Sequence, residues 1–190
     1  MSTTPTRRFA FVAELEDRPG ALNRVVSQFR HRGYELDSLA LSQGREPGIL
    51  RLSFTMQTTA AVARRVGANL GKLLEVLHVE DVSAAAPVVR ELLLVKLTAA
   101  AAEHAALGRI LDAAGARLIE AHPGGQVVEL AGPPAQLDAR VAALRSFGVT
   151  EIARSGAVMM VAAPAVDAAR DDRPHAPSPT PSHARAEAWT

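Results

Sequence analysis

The chain has 190 residues, with 21 Lys and Arg against 20 Asp and Glu, 48% hydrophobic residues, 4% aromatics and no cysteine. That length holds one medium domain or two small ones. Near-neutral charge and few aromatics argue against a nucleic-acid or polyanion binder, and the missing cysteine excludes disulfides, thiolate metal sites and cysteine nucleophiles.

Phe9, Phe11, Ala13 and Leu15 alternate with Ala10, Val12, Glu14 and Glu16, the period of a first strand. Asp17-Arg18-Pro19-Gly20 reads as a helix start, with Asp17 as N-cap and the proline in the first turn. Ala21, Leu22, Val25, Val26 and Phe29 form a helical apolar stripe that Gly33 closes. A second strand runs through Leu36, Leu39, Ala40 and Leu41, and a turn follows over Gly44 to Gly48. Leu50, Leu52, Phe54 and Met56 alternate with Arg51, Ser53, Thr55 and Gln57, predicting a third strand with one wet face. Thr58 or Thr59 caps a helix with the stripe Val62, Val66, Leu70, Leu73 and Leu74, and Leu77, Val79 and Val82 make a fourth strand.

After an Ala/Pro linker over Ser83 to Arg90 the order recurs: a strand at Leu92 to Leu97, a helix through Leu107, Ile110 and Leu111 ended by Gly115, and a hairpin of Arg117 to Ala121 and Gln126 to Leu130. Pro133-Pro134 opens a helix carrying Leu137, Val141 and Leu144, and Val149 to Ala153 with Val158 to Val161 complete the sheet. The expected fold is α+β, two ferredoxin-like βαββαβ domains over residues 8–83 and 91–162. Their open sheet faces and edges invite pairing with another subunit. Residues 163–190 hold five of the 12 prolines and few bulky apolar residues, the composition of a disordered tail. Trp189 in it reads as a solvated residue near a chain end rather than a docking point.

No run of about 18 residues is apolar and free of charge, so no membrane span is expected. Residues 1–8 carry no apolar signal core, which points to a cytoplasmic protein. The sequence contains no HExxH, GxSxG or GxGxxG. Gly67 to Lys72 lacks the spacing, the Ser or Thr and the loop context of a phosphate loop. The six histidines show no metal-ligand spacing. Arg24, Arg30, Arg32 and His31, with Arg51, Arg64 and Arg65, read as solvated faces rather than a basic patch. The third strand lacks the exposed aromatics of an RNA-binding sheet.

The junction Glu16-Asp17-Arg18-Pro19-Gly20-Ala21-Leu22 is the candidate site. A helix N-terminus offers unpaired N–H groups and the positive end of a dipole, which suit a small carboxylate. Gly20 admits a close ligand, and Asp17 is placed to accept from an ammonium group. A free amino acid satisfies both; an ordinary Asp-capped helix accounts for the same residues.

LEDRPGALNRVVSQFRHRGYELDSLAL resembles the first half of an ACT domain, the amino-acid-sensing βαββαβ module. With KLLEVLHVEDV, VRELLLVKL and LIEAHPGGQVVELAGPPAQLDARVAALRSFGVTEIARSGAVMM, the chain resembles, from about Arg8 to Met160, the small regulatory subunit of acetolactate synthase (acetohydroxyacid synthase). The resemblance implies a non-catalytic subunit in valine, leucine and isoleucine biosynthesis. Such a subunit binds and activates a large catalytic subunit and confers feedback inhibition by branched-chain amino acids. Thiamine diphosphate, Mg and FAD are then expected only on that partner, with no cofactor in this chain. The resemblance further implies a homodimer through the N-terminal domains, with the effector held between protomers by Asp17, Pro19, Gly20, Ala21 and Leu22 of one and Glu35 and Leu36 of the other. The chain departs from the family at Glu35, where an Asn effector contact is usual, in its short turn between the second and third strands and in its Pro-rich tail. Glu35 makes valine a poor fit. The other readings are a stand-alone ACT-repeat sensor of a different enzyme or transcription factor, and a small enzyme, for which no acid–base cluster is visible.

Overall fold

A computed structural model describes residues 5–98 and 104–161. The expected tail over 163–190, with Trp189, lies outside the described residues. The elements are β1 (Arg7–Glu16), α1 (Ala21–Arg32), β2 (Ser38–Gln43), β3 (Ile49–Thr58), α2 (Ala60–Leu70), β4 (Val76–Asp81), β5 (Val88–Leu97), α3 (His104–Ala114), β6 (Arg117–His122), β7 (Gly125–Gly132), α4 (Pro134–Leu144), β8 (Val149–Arg154) and β9 (Val158–Met160). The order βαββαβ occurs twice, as two antiparallel sheets, β2-β3-β1-β4 and β6-β7-β5-β8.

The alternation along β1 and β3 builds the first core. Phe9, Phe11, Ala13 and Leu15 face the same side as Met56, Phe54, Leu52 and Leu50, which they pair in register. Val25 and Phe29 of α1 and Ala63, Val66 and Leu70 of α2 close over them. Phe11 stacks on Phe54 with ring centroids 4.9 Å apart, and Phe29 tilts onto the same ring. Thr59 caps α2 by accepting from the Val62 amide, while Leu74, at the far end of the predicted stripe, lies past the helix and is exposed. In the second unit Leu93, Val95, Leu97, Val128 and Leu130 face Leu107 and Leu111 of α3 and Leu137, Val141 and Leu144 of α4.

Four sequence expectations are corrected. Helix α1 is capped not by Asp17 but by Gly20, so Pro19 precedes the cap instead of sitting in the first turn. Gly20 has φ +88°, a left-handed conformation that costs other residues about 1–2 kcal/mol. Leu36 packs against the first core ahead of β2, which begins at Ser38. The second face of β3 is not wet: Ser53 and Thr55 are buried. Val88 to Arg90, read as linker, belong to β5 and pair with β9.

The last two corrections share one cause. After Arg154 the chain breaks step at Ser155–Ala157 and continues antiparallel along β5, so that β9 leaves the second sheet and runs back to the first unit. There Ala157 and Met159 join Val12 and Val82, with Ala10 and Val89 at the margin, in a small core on the helix-free face of the first sheet. Arg51 of β3 donates from Nη2 to the Met159 carbonyl at 3.0 Å. At Gly156, φ is +78° and an added Cβ would sit 2.9 Å from the Leu39 carbonyl oxygen, so this strap crosses β2 at a point only glycine fits. The first sheet's open face is therefore partly covered by its own chain. The second sheet's helix-free face still presents half-exposed Leu92 and Leu94 beside the Lys96–Glu151 ion pair.

Candidate functional site

The β1–α1 junction lies where β1 leaves the sheet. The Glu16 amide donates to the Glu75 carbonyl and the Asp17 amide to the Gly48 carbonyl, which fixes the strand end between the α2–β4 and β2–β3 turns. The Ala21 amide then returns to the Arg18 carbonyl and the Arg24 amide to the Gly20 carbonyl. Among the described residues the amides of Gly20, Leu22 and Asn23 are left without a hydrogen-bond partner, as expected for a first helical turn with no side-chain cap.

Beside these amides is an open concavity of about 540 Å³, lined by Asp17, Arg18, Gly20, Leu22, Asn23, Val26, Leu41 and Leu50. Its chemistry has three parts. Free amides at the positive end of a 12-residue helix suit a carboxylate. The Asp17 carboxylate accepts from an ammonium group. Leu22, Val26, Leu41 and Leu50 form an aliphatic wall, and Val26 and Leu41 remain 43% and 39% exposed in the single chain. Carboxylate, ammonium and branched aliphatic recognition are thus side by side.

Of the residues singled out in the sequence, Asp17, Gly20 and Leu22 line this concavity, and Pro19 and Ala21 shape the turn beside it, with Ala21 buried. Glu35 and Leu36 do not reach it within one chain. They follow the opposite end of α1, where Glu35 lines a second concavity of about 450 Å³ with Arg32, Tyr34, Arg65 and Asn69. The Asn69 amide donates to the Tyr34 hydroxyl there at 3.1 Å. Arg18 belongs to the junction read from the sequence but not to the residues named for the effector, and sequence reasoning missed Asn23, Val26, Leu41 and Leu50. Val26 and Leu41 carried a usable signal, since each belongs to an apolar pattern yet lies at its outer edge.

Among the described residues no cluster of three or more His, Asp or Glu is arranged to hold a metal ion. No helix among them is long and apolar enough to cross a membrane.

Residues 90–162 match the family described as the small subunit of acetolactate synthase. Over 149 residues the chain is 32% identical to the probable acetolactate synthase small subunit of Methanothermobacter thermautotrophicus, covering 78% of this chain and 89% of that one. It is 33% identical to the isozyme 3 small subunit of Escherichia coli over 145 residues, covering 76% and 89%. The chain belongs to the acetolactate synthase small-subunit family. The crystal structure of the acetolactate synthase small subunit from Thermotoga maritima has the same fold, with a TM-score of 0.75 at 24% identity over 81% of this chain and 96% of that one. Membership accounts for the pairing of two ACT-like units in one chain. It also accounts for a partner, since a small subunit of acetolactate synthase is named for the large catalytic subunit it accompanies.

Proposed function

We propose that this chain is the non-catalytic regulatory subunit of an acetolactate synthase. It activates the thiamine-diphosphate-dependent catalytic subunit and lowers that activity when a branched-chain amino acid binds at the β1–α1 junction. The observation that carries this reading is the concavity of Asp17, the free amides of Gly20, Leu22 and Asn23, and the aliphatic wall of Leu22, Val26, Leu41 and Leu50. Thiamine diphosphate, Mg and FAD belong to the partner in this reading, and this chain supplies no cofactor site.

The site is completed by a second copy. Strand β2 is one of the two edges of the first sheet, with Leu39 and Leu41 half exposed. An unpaired edge with apolar side chains favours strand addition. A two-fold axis through antiparallel β2 strands sets the start of one β2 beside the end of the other. Glu35 and Leu36, three and two residues before β2, then approach the partner's β1–α1 junction. The effector thus sits between protomers, and its binding and the dimer contact reinforce each other.

The test is reconstitution with the large subunit from the same host. Added chain should raise acetolactate formation, and valine, leucine or isoleucine should reverse that rise. Sedimentation of the chain alone should give a dimer at micromolar concentration. A catalytic subunit whose rate the chain leaves unchanged would overturn the regulatory reading, and a monomer with amino acid present would overturn the shared site.

A further inference from the structure

Beneath the junction lies a charge cluster that the effector reading has not used. Glu75, in the turn between α2 and β4, has a side chain only 5% exposed. Its Oε1 receives two guanidinium groups, Arg24 Nε at 3.1 Å and Arg18 Nη2 at 3.4 Å. Its Oε2 is buried and has no hydrogen-bond partner among the described residues. Arg18 also pairs with Glu16, Nε to Oε2 at 2.9 Å, where both side chains are about half exposed.

A buried carboxylate oxygen without a partner is uncommon enough in folded proteins to call for an explanation. Packing does not supply one, since an apolar side chain would fill the same turn without the cost of burying a charge. The arrangement instead has the parts of an exchange. Among the described residues Arg18 is the one cation lining the concavity. Its contact with Glu75 is the longer of the two, so Arg24 can keep Glu75 neutralised when Arg18 leaves. Its contact with Glu16 is exposed and therefore weak.

We infer that Glu75 is a positioning residue of the effector site: it holds Arg18 in reserve, and the carboxylate of an incoming amino acid takes Arg18 from it. This rests on the effector reading above and adds a charged ligand to the free amides. The exchange gives the site a direct line to the α2–β4 turn, because release of Arg18 alters the charge balance on a residue whose backbone carbonyl already anchors the end of β1. It also sets the sign of two substitutions. Loss of Arg18 removes a ligand and weakens binding. Loss of the Glu75 charge frees Arg18 and strengthens binding. A merely structural Glu75 would weaken binding in both cases.

The experiment uses the full chain, as wild type, Glu75→Gln and Arg18→Gln, in two measurements. Calorimetric titration with valine, leucine and isoleucine should show Glu75→Gln binding about threefold tighter than wild type and Arg18→Gln about tenfold weaker. Without amino acid, phenylglyoxal should modify Arg18 about threefold faster in Glu75→Gln than in wild type, read by peptide mass spectrometry. Weaker binding in both variants would overturn the exchange and leave Glu75 as a structural ion pair. Normal binding in wild type with an unchanged modification rate in Glu75→Gln would also overturn it. No heat of binding in any of the three proteins would overturn the effector reading itself, and the exchange with it. Where Glu75→Gln folds poorly, Glu75→Met, which fills the same turn without a charge, replaces it in both measurements with the same signs expected.

Discussion

Arg51 of β3 donates to the main-chain carbonyl of Met159, joining the middle of the first sheet to the last described strand. Around that bond, Val12, Val82, Ala157 and Met159 exclude water from a face that would otherwise be open. The two ACT-like units are therefore connected by more than the short segment between β4 and β5. The strap also passes directly over β2, the edge at which we place the dimer contact.

Gly156 is the point on which that contact turns. Replacing it with alanine forces a Cβ to 2.9 Å from the Leu39 carbonyl oxygen at a positive φ. The left-handed conformation alone costs about 1–2 kcal/mol, and the clash adds to it. Gly156→Ala should lower the melting temperature by several degrees in a thermal scan, whereas Gly48→Ala, with the same positive φ and open space, should lower it less. Equal losses would show that the strap does not press on β2.

Gly20→Asp should separate activation from inhibition. The space around Gly20 is open: an added Cβ meets no atom within 4 Å, and the backbone cost is that of the positive φ, about 1–2 kcal/mol. The new carboxylate stands among the free amides, where the effector's own carboxylate would lie, and repels it. The variant should fold, raise the activity of the catalytic subunit as wild type does, and show no inhibition by any branched-chain amino acid. Inhibition curves on the reconstituted enzyme check this.

Glu35→Asn should strengthen valine binding. An ionised Glu can only accept, whereas an Asn amide can also donate to a carboxylate. With Asp17 opposite, Glu35 would bring a second negative charge to one ligand across the dimer. The lost hydrogen bond to a charged group costs about 1.5–3 kcal/mol, or about ten- to a hundredfold in affinity. Calorimetry with valine at neutral pH checks the gain; equal, tight binding by both proteins would place Glu35 away from the ligand, in its own concavity beside Arg32 and Arg65.

The second unit carries an exposed pair with a defined pH signature. The hydrogen bond from Lys96, and then its charge, hold the Glu151 carboxyl below its ordinary value of 4.5, and the same contact raises Lys96 above 10.5. The stabilisation from Glu151 is present above the unfolded carboxyl's pKa and fades as pH falls through the lowered value. That from Lys96 is present below its unfolded pKa and fades as pH rises through the raised one. The melting temperatures of wild type and Glu151→Gln should therefore differ by a small, constant amount at neutral pH and converge as pH falls from 4.5 through the lowered carboxyl value.

The repeated βαββαβ order is legible in the sequence because its signals are local. Phe9 to Leu15 and Leu50 to Met56 alternate with period two, and Val25, Phe29, Leu137, Val141 and Leu144 recur with the period of a helix. The junction is legible as a site because proline and glycine mark where β1 ends. Its cap is not, since Asp17 satisfies the usual preference for an N-cap yet Gly20, three residues on, takes the left-handed conformation that starts α1. The strap's course is illegible for a different reason. Val158 to Val161 read as a strand, but their partners Val88 to Arg90 carry the composition of a linker, and nothing local shows that the strand crosses to the first sheet. The burial of Ser53 and Thr55 depends on that same distant strand, so no local pattern in β3 announces it.

The strap sets an order of events in making the protein. Its residues are near the end of the described chain, whereas Val12 and Arg51, which they cover and bind, belong to the first quarter or so of it. A ribosome releases the first unit with one side of its sheet still bare, and that side is sealed only after β9 has emerged. Contacts of such long sequence separation form late in folding. The nascent first unit thus waits, with Val12 and Val82 exposed, until the second unit is built, and a chain that stops before Ala157 leaves that apolar face available for aggregation.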